Sequence, residues 1–511
     1  MSPSRPHYII DSHVHFWPAS AANSESHTWM TPPDMPLARK FEMEEYVGAL
    51  AGSVDFESGH PAPESEQKQV VKVKGQGRPK LLGLIYIETD RRLLSPHAAS
   101  ELGDTPPYPS RWTHPLAEIA YLRSLIEAEL SSRIPPTPRL LGLVPWAPID
   151  EGPAALEKYM RLARESAGEA TWARIVGWRF LVQGLRLEGA FDEVVGSQKW
   201  IEGLQRPGAE GRTWRRSDVR GRAGEEKRKG FTFDVGVDQH GAGTWQLEGF
   251  AGCIEKLRAL EDENSDRDVE QVARTIFVLS KSSCLVLFPH LHDLGNESFT
   301  ISLSSQIPTI LGHICSARQV GIGNQNPAHH APDHFCKPDF HSSSSSSTSF
   351  EAWYAALARL AAQPYVYLKL SGFFTEVESP LLNTSTGTPT ATFNVVFRYV
   401  KAAFKLFGAR RIMFGSDWPV CGVGSGTNFG HFTKTERAEE GKGEEGGEQV
   451  NGADRERGRG KSAWTEWHDV VERLLDACEL DEEEKEWVWW RTAAEAYGVE
   501  VDVDVGGGGD A

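Results

Sequence analysis

The stretch that most restricts this chain is its first strand-like run, Tyr8-Ile9-Ile10-Asp11-Ser12-His13-Val14-His15-Phe16-Trp17. In a strand, residues two apart point to the same side. His13 and His15 therefore aim together, Val14 points away, and Trp17 lies just past the strand. Two imidazoles converging at a strand end can hold a metal or polarise a substrate oxygen. Far along the chain, the short apolar run Arg411-Ile412-Met413-Phe414 ends in Gly415-Ser416-Asp417-Trp418-Pro419. A closed ring of parallel strands sets its first and last strands side by side, with their carboxyl ends at one mouth. His13, His15 and Asp417 are thus expected to share a site. The competing readings are loop positions for the histidines and a helix N-cap for Asp417.

Between these ends, apolar runs alternate with helical patterns. Strands are expected at 80–88, 140–148, 174–181, 231–237 and 365–371, and helices at 41–50, 114–131, 153–166, 245–260, 350–362 and 391–407. Residues 188–204 are weakly helical, and 464–477 and 482–497 close the chain as two helices. Such alternation predicts the α/β class, with the strands buried on both faces of a parallel sheet. The spacing over 269–279 reads as helical. Two later runs compete for the sixth strand, 308–314 with His313 and 284–292 with His290 and His292. The expected organisation is one domain over 1–500. Flexible insertions are expected at 51–79, 206–230, 261–305, 319–349 and 422–462, with a tail at 501–511. The serine run Ser342–Ser347 cannot pack.

The runs IIDSHVHFW at 9–17, IVGWRFLVQ at 175–183, ILGHI at 310–314, VYLKLSGFFTE at 366–376 and RIMFGSDWPV at 411–420 together resemble the amidohydrolase superfamily. The nearest resemblance is to the amidohydrolase-2 group, which includes sugar lactonases and 2-pyrone-4,6-dicarboxylate hydrolase. It implies a (β/α)8 TIM barrel with long loop insertions, several of them around the mouth. It also implies a lactone-opening hydrolase in which Asp417 activates water and His13, His15 and His313 stabilise the developing oxyanion, directly or through one divalent ion. Zn²⁺ or Mn²⁺ would suit His13, His15, His313 and Asp417. The 2-pyrone enzyme works without metal, so that mode stays open. The family usually carries Asp-His-Leu-Gly-Lys-Pro at its sixth strand, and the His313 run departs from it at Gly312. The fourth strand of this chain, 174–181, lacks the lysine that binuclear members of the superfamily carry there, so a binuclear centre is not expected.

Arg179 ends an otherwise apolar strand, and burying it unpaired would be costly. It either binds substrate or forms a structural ion pair; Lys369 and Glu88 raise the same question, and Trp17 is the other substrate-binding candidate. His240, just past the fifth strand, is a weaker candidate. A net charge of −17 argues against a nucleic-acid surface. Six cysteines without CxxC spacing argue against a zinc ribbon or a disulfide scaffold. No run reaches transmembrane length. A cytoplasmic enzyme acting on a small molecule is expected, with no membrane partner and an open oligomeric state. The rival readings are a metal-dependent decarboxylase or hydratase on the same fold, and an inactive barrel serving as a scaffold.

Overall fold

The computed structural model describes residues 7–31, 35–50, 53–56, 78–94, 110–132, 138–209, 212–217, 223–229, 232–237, 243–265, 275–280, 347–375, 377, 380–383, 386–424, 462–501 and 503. Two parallel sheets form the frame. In the first, β1 (Tyr8–Val14) pairs with β3 (Lys80–Ile87), which also pairs with the two-residue β2 (Asp55–Phe56) and with β4 (Leu140–Val144). In the second, the order is β11 (Ile412–Phe414), β10 (Val366–Leu370), β9 (Ile276–Ser280), β8 (Thr232–Gly236) and β5 (Gly177–Leu181). Their strands are runs of Val, Ile, Leu and Phe buried on both faces, the composition a covered parallel sheet requires.

The two sheets meet along both edges. On one side Leu143 bridges Ile175 and Trp146 bridges Arg179, both parallel. On the other, Val14 bridges Trp418, the Asp417 amide donates to the His13 carbonyl at 2.8 Å, and the His15 amide donates to the Trp418 carbonyl at 2.9 Å. One apolar cluster joins both sheets. It contains Ile10, Ile85, Val144, Val278, Tyr367 and Met413, and is closed from below by Ala493, Ala496 and Tyr497 of the helix Thr492–Tyr497. That helix abuts the strand starts: Thr232 donates to the Ala496 carbonyl at 2.7 Å and the Tyr367 hydroxyl to Glu495 at 3.0 Å.

The helices expected at 41–50, 114–131, 153–166, 245–260, 350–362 and 391–407 form as Met43–Leu50, Thr113–Ser131, Pro153–Trp172, Thr244–Ser265, Ser347–Ala362 and Ala391–Phe407. The structure corrects the helical reading of 269–279. Residues 276–280 are β9, slotted in register between β8 and β10 (Phe233 opposite Phe277, Phe277 opposite Val366). An unbroken run such as Ile276-Phe277-Val278-Leu279 carries no period that separates strand from helix, and the slot between two strands decides. The expected insertion at 261–305 therefore begins inside a helix and includes a central strand. The runs 284–292 and 308–314 lie outside the described residues, as does His240. Within 206–230 the chain forms an antiparallel hairpin of β6 (Arg212–Ser217) and β7 (Ala223–Lys229). No helix among the described residues is long and apolar enough to cross a membrane.

Candidate active site

The GSDWP turn is held from three directions. The Asp11 carboxylate accepts from the Ser416 amide at 2.8 Å, the Tyr46 hydroxyl at 2.8 Å and the Trp464 indole at 2.9 Å. Trp467, one helical turn on, donates its indole N–H to the Gly415 carbonyl at 2.9 Å. Trp418 packs among Phe16, Phe41 and Tyr46. Asp417 itself takes a left-handed backbone conformation, φ 59°. Aspartate tolerates that region better than most residues, and strain of this kind persists only where the surroundings enforce it.

These constraints bring three basic atoms together in a buried site. His13 Nε2 and His15 Nε2 are 3.1 Å apart, and Asp417 Oδ1 lies 3.4 Å from the first and 3.2 Å from the second. His15 Nδ1 faces the Ile87 carbonyl at 2.9 Å. It therefore carries the ring proton, and Nε2 presents its lone pair. Burial, together with the charge of Lys369, holds His13 well below the usual histidine range, so it is neutral. A proton on His13 Nε2 would serve one of the three contacts; a cation would serve all of them. Donor atoms about 2.1 Å from a tetrahedral zinc stand about 3.4 Å from one another. The observed spacings match that edge, so the residues fit a divalent ion.

Behind this trio lies a buried ionic layer. Arg179 Nε is 3.7 Å from Glu88 and 3.6 Å from Asp234, and Lys369 Nζ donates to Asp234 at 2.7 Å. Tyr497 reaches the same carboxylate from below at 2.8 Å. The ion-pair reading of Arg179 thus describes its surroundings, and its charge still acts on His13. Trp17 lies in an aromatic wall with Trp29, Phe41 and His27, its indole donating to the Arg39 carbonyl at 2.6 Å. His313, His290 and His292 lie outside the described residues. Sequence reasoning passed over Asp11. A carboxylate two residues before His13, inside an apolar strand, was the signal that it has buried partners.

A family model described as amidohydrolase matches residues 332–499. The L-rhamnono-gamma-lactonase of Scheffersomyces stipitis is 21% identical over 502 residues, covering 96% of this chain and 98% of that protein. The L-fucono-1,5-lactonase of Burkholderia multivorans is 39% identical over 89 residues, covering 17% of this chain and 28% of that protein. Among solved structures, a zinc-bound amidohydrolase of Burkholderia multivorans aligns with a TM-score of 0.49 and 18% identity, covering 96% of this chain and all 100% of that one. The match that starts at 332 exposes a second omission. Asp333-His334-Phe335-Cys336-Lys337-Pro338 keeps the Asp, His, Lys and Pro of the family's Asp-His-Leu-Gly-Lys-Pro. It too lies outside the described residues. Over residues 332–499 the chain is similar to the amidohydrolases, and the curated relatives it matches are hydrolases named as lactonases.

Proposed function

We propose that the chain opens a sugar lactone by water attack at the site of His13, His15 and Asp417. The observation that carries this reading is the convergence of His13 Nε2, His15 Nε2 and Asp417 Oδ1 at 3.1–3.4 Å. The lactonase names of relatives in two organisms support the substrate class. We read the bridges along both sheet edges as closing eight parallel strands (β1, β3, β4, β5, β8, β9, β10 and β11) into one barrel. The trio then stands at the carboxyl-terminal mouth, where such barrels keep their chemistry.

His13, His15 and Asp417 would hold a divalent ion such as Zn²⁺ or Mn²⁺, which when bound supplies Lewis acidity towards the lactone carbonyl and a more acidic water. For the third histidine we propose His334, in the role that the family resemblance gives to His313. Asp417 accepts the proton of the attacking water. The water's oxygen bonds to the carbonyl carbon, the ring C–O bond breaks, and the proton passes from Asp417 to the departing alkoxide, leaving an open hydroxy acid. The buried charges of Arg179 and Lys369 supply a positive field to the oxygen on which charge develops.

The test combines metal analysis with hydrolysis of L-rhamnono- and L-fucono-lactones followed in a pH-stat. Turnover that falls with a chelator, returns with Zn²⁺ or Mn²⁺, and drops at least a hundredfold in Asp417→Asn is the expected result. Turnover untouched by chelation sinks the metal reading. No turnover on any lactone, with CO₂ released from a carboxylated substrate, sinks the lactonase reading.

A further inference from the structure

A second group of metal-ligand side chains stands at the opposite end of β1. His7 immediately precedes that strand, and its carbonyl is fixed by the Lys80 amide at 2.6 Å. His468 and Glu472 are four residues apart on the helix Ala463–Ala477, which places them on one face. One donor atom from each of His7, His468 and Glu472 lies within 4.8 Å of the other two. His7 and His13 are six positions apart along the strand, roughly 20 Å at about 3.3 Å per residue. This cluster is no extension of the active site.

Three features distinguish it from an ordinary surface ion pair. His7 Nδ1 and Glu472 Oε1 stand 3.6 Å apart, beyond hydrogen-bonding distance. The Nε2 atoms of both His7 and His468 are buried and have no hydrogen-bond partner among the described residues. The rings are nevertheless held in place. His468 stacks between Trp464 and Trp489, with centroids 5.6 and 4.9 Å away, and His7 packs on Trp489 at 5.0 Å. An unpartnered buried imidazole nitrogen costs free energy in the fold, and both imidazoles that carry one stand beside the Glu472 side chain. The nearby cation, Lys485, is engaged by Asp476 at 2.6 Å and Glu482 at 3.5 Å.

We propose that His7, His468 and Glu472 form an accessory site for a borderline divalent ion such as Zn²⁺, completed by solvent. Two imidazoles and one carboxylate suit zinc, cobalt or nickel rather than calcium or magnesium. The side chains of His7 and Glu472 are 32% and 29% exposed, so an ion has a route in and water has room to bind it. The donors close by about an ångström to reach zinc-bound spacing. The bound ion clamps the start of β1 to the closing helices. Its role is structural.

The full-length protein is stripped with a chelator, and Zn²⁺ binding is counted by equilibrium dialysis for the wild type, His468→Gln and Glu472→Gln. The expected result is one equivalent fewer in each variant, with lactone turnover within twofold of wild type. If the site of His13 takes no metal, the count runs from one to zero, and the same loss of one equivalent identifies this site. An anomalous map of zinc-soaked wild-type crystals provides a readout independent of variant folding. A peak between His7, His468 and Glu472 supports the site. Equal stoichiometry in all three proteins, or a zinc-saturated crystal with no peak there, overturns it.

Discussion

Gly415 lies against His13 so closely that a β-carbon on the glycine would stand 2.8 Å from the His13 β-carbon. Ordinary carbon contacts do not come that near, and both backbones are pinned, Gly415 by the Trp467 indole and His13 by the Asp417 amide. Gly415→Ala is therefore expected to push His13 out of line with His15 and Asp417. Overpacking of this kind costs about 1–3 kcal/mol of stability. The loss in kcat/KM should be larger, about a hundredfold, because an ångström of misplacement at a reacting centre is that expensive. Unfolding curves and lactone kinetics on the same preparation check both; unchanged kinetics would show that His13 yields freely.

Asp11 holds together three segments that are distant in sequence. Asp11→Asn puts an amide N–H₂ where donors already converge, leaving at least one of Ser416, Tyr46 and Trp464 unsatisfied. A lost hydrogen bond to a buried charged group costs about 1.5–3 kcal/mol. The expected urea midpoint falls accordingly, and activity falls with it, since the displaced turn carries Asp417. Burial raises the Asp11 carboxyl against the pull of these donors. Part of the loss is therefore offset, and the lower end of that range is the expectation.

Two buried groups predict a trough in stability near pH 8. Burial lowers Lys369 from 10.5 to about 8, opposed by Asp234. Its contribution is complete above pH 10.5 and is lost as pH falls to about 8. Burial raises Glu88 from 4.5 to about 8, opposed by Arg179. Its contribution is complete below pH 4.5 and is lost as pH rises to about 8. Urea midpoints between pH 5 and 10 should pass through a minimum near 8. Glu88→Gln flattens the acid side and Lys369→Met the alkaline side; slopes unaltered by either change would rule these groups out as the source.

The choice of third histidine separates two stretches of chain. His334→Ala is expected to lower bound metal at the site of His13 and reduce turnover by about a thousandfold, a scale typical of losing one strong electrostatic contact to the transition state. Loss of metal in His313→Ala, with His334→Ala retaining it, would return the role to the 308–314 run.

The sequence by itself determined the features that depend on near neighbours. Alternation along β1 aims His13 and His15 together, and a glycine-led turn places Asp417 at a strand tip. Among the described residues, apolar runs and helical stripes marked seven of the nine parallel strands and most of the longer helices, because burial on one or two faces leaves its period in the chain. The tertiary structure decided what has no local period. Ile276–Ser280 is a strand because β8 and β10 leave a strand-wide gap between them. Arg179 meets Glu88 and Asp234 because three separate strands point inward at one level. Asp11 meets Trp464 across 453 residues of chain. The energy of such contacts comes from burial and pairing after the chain has closed on itself, and no window of sequence contains both partners.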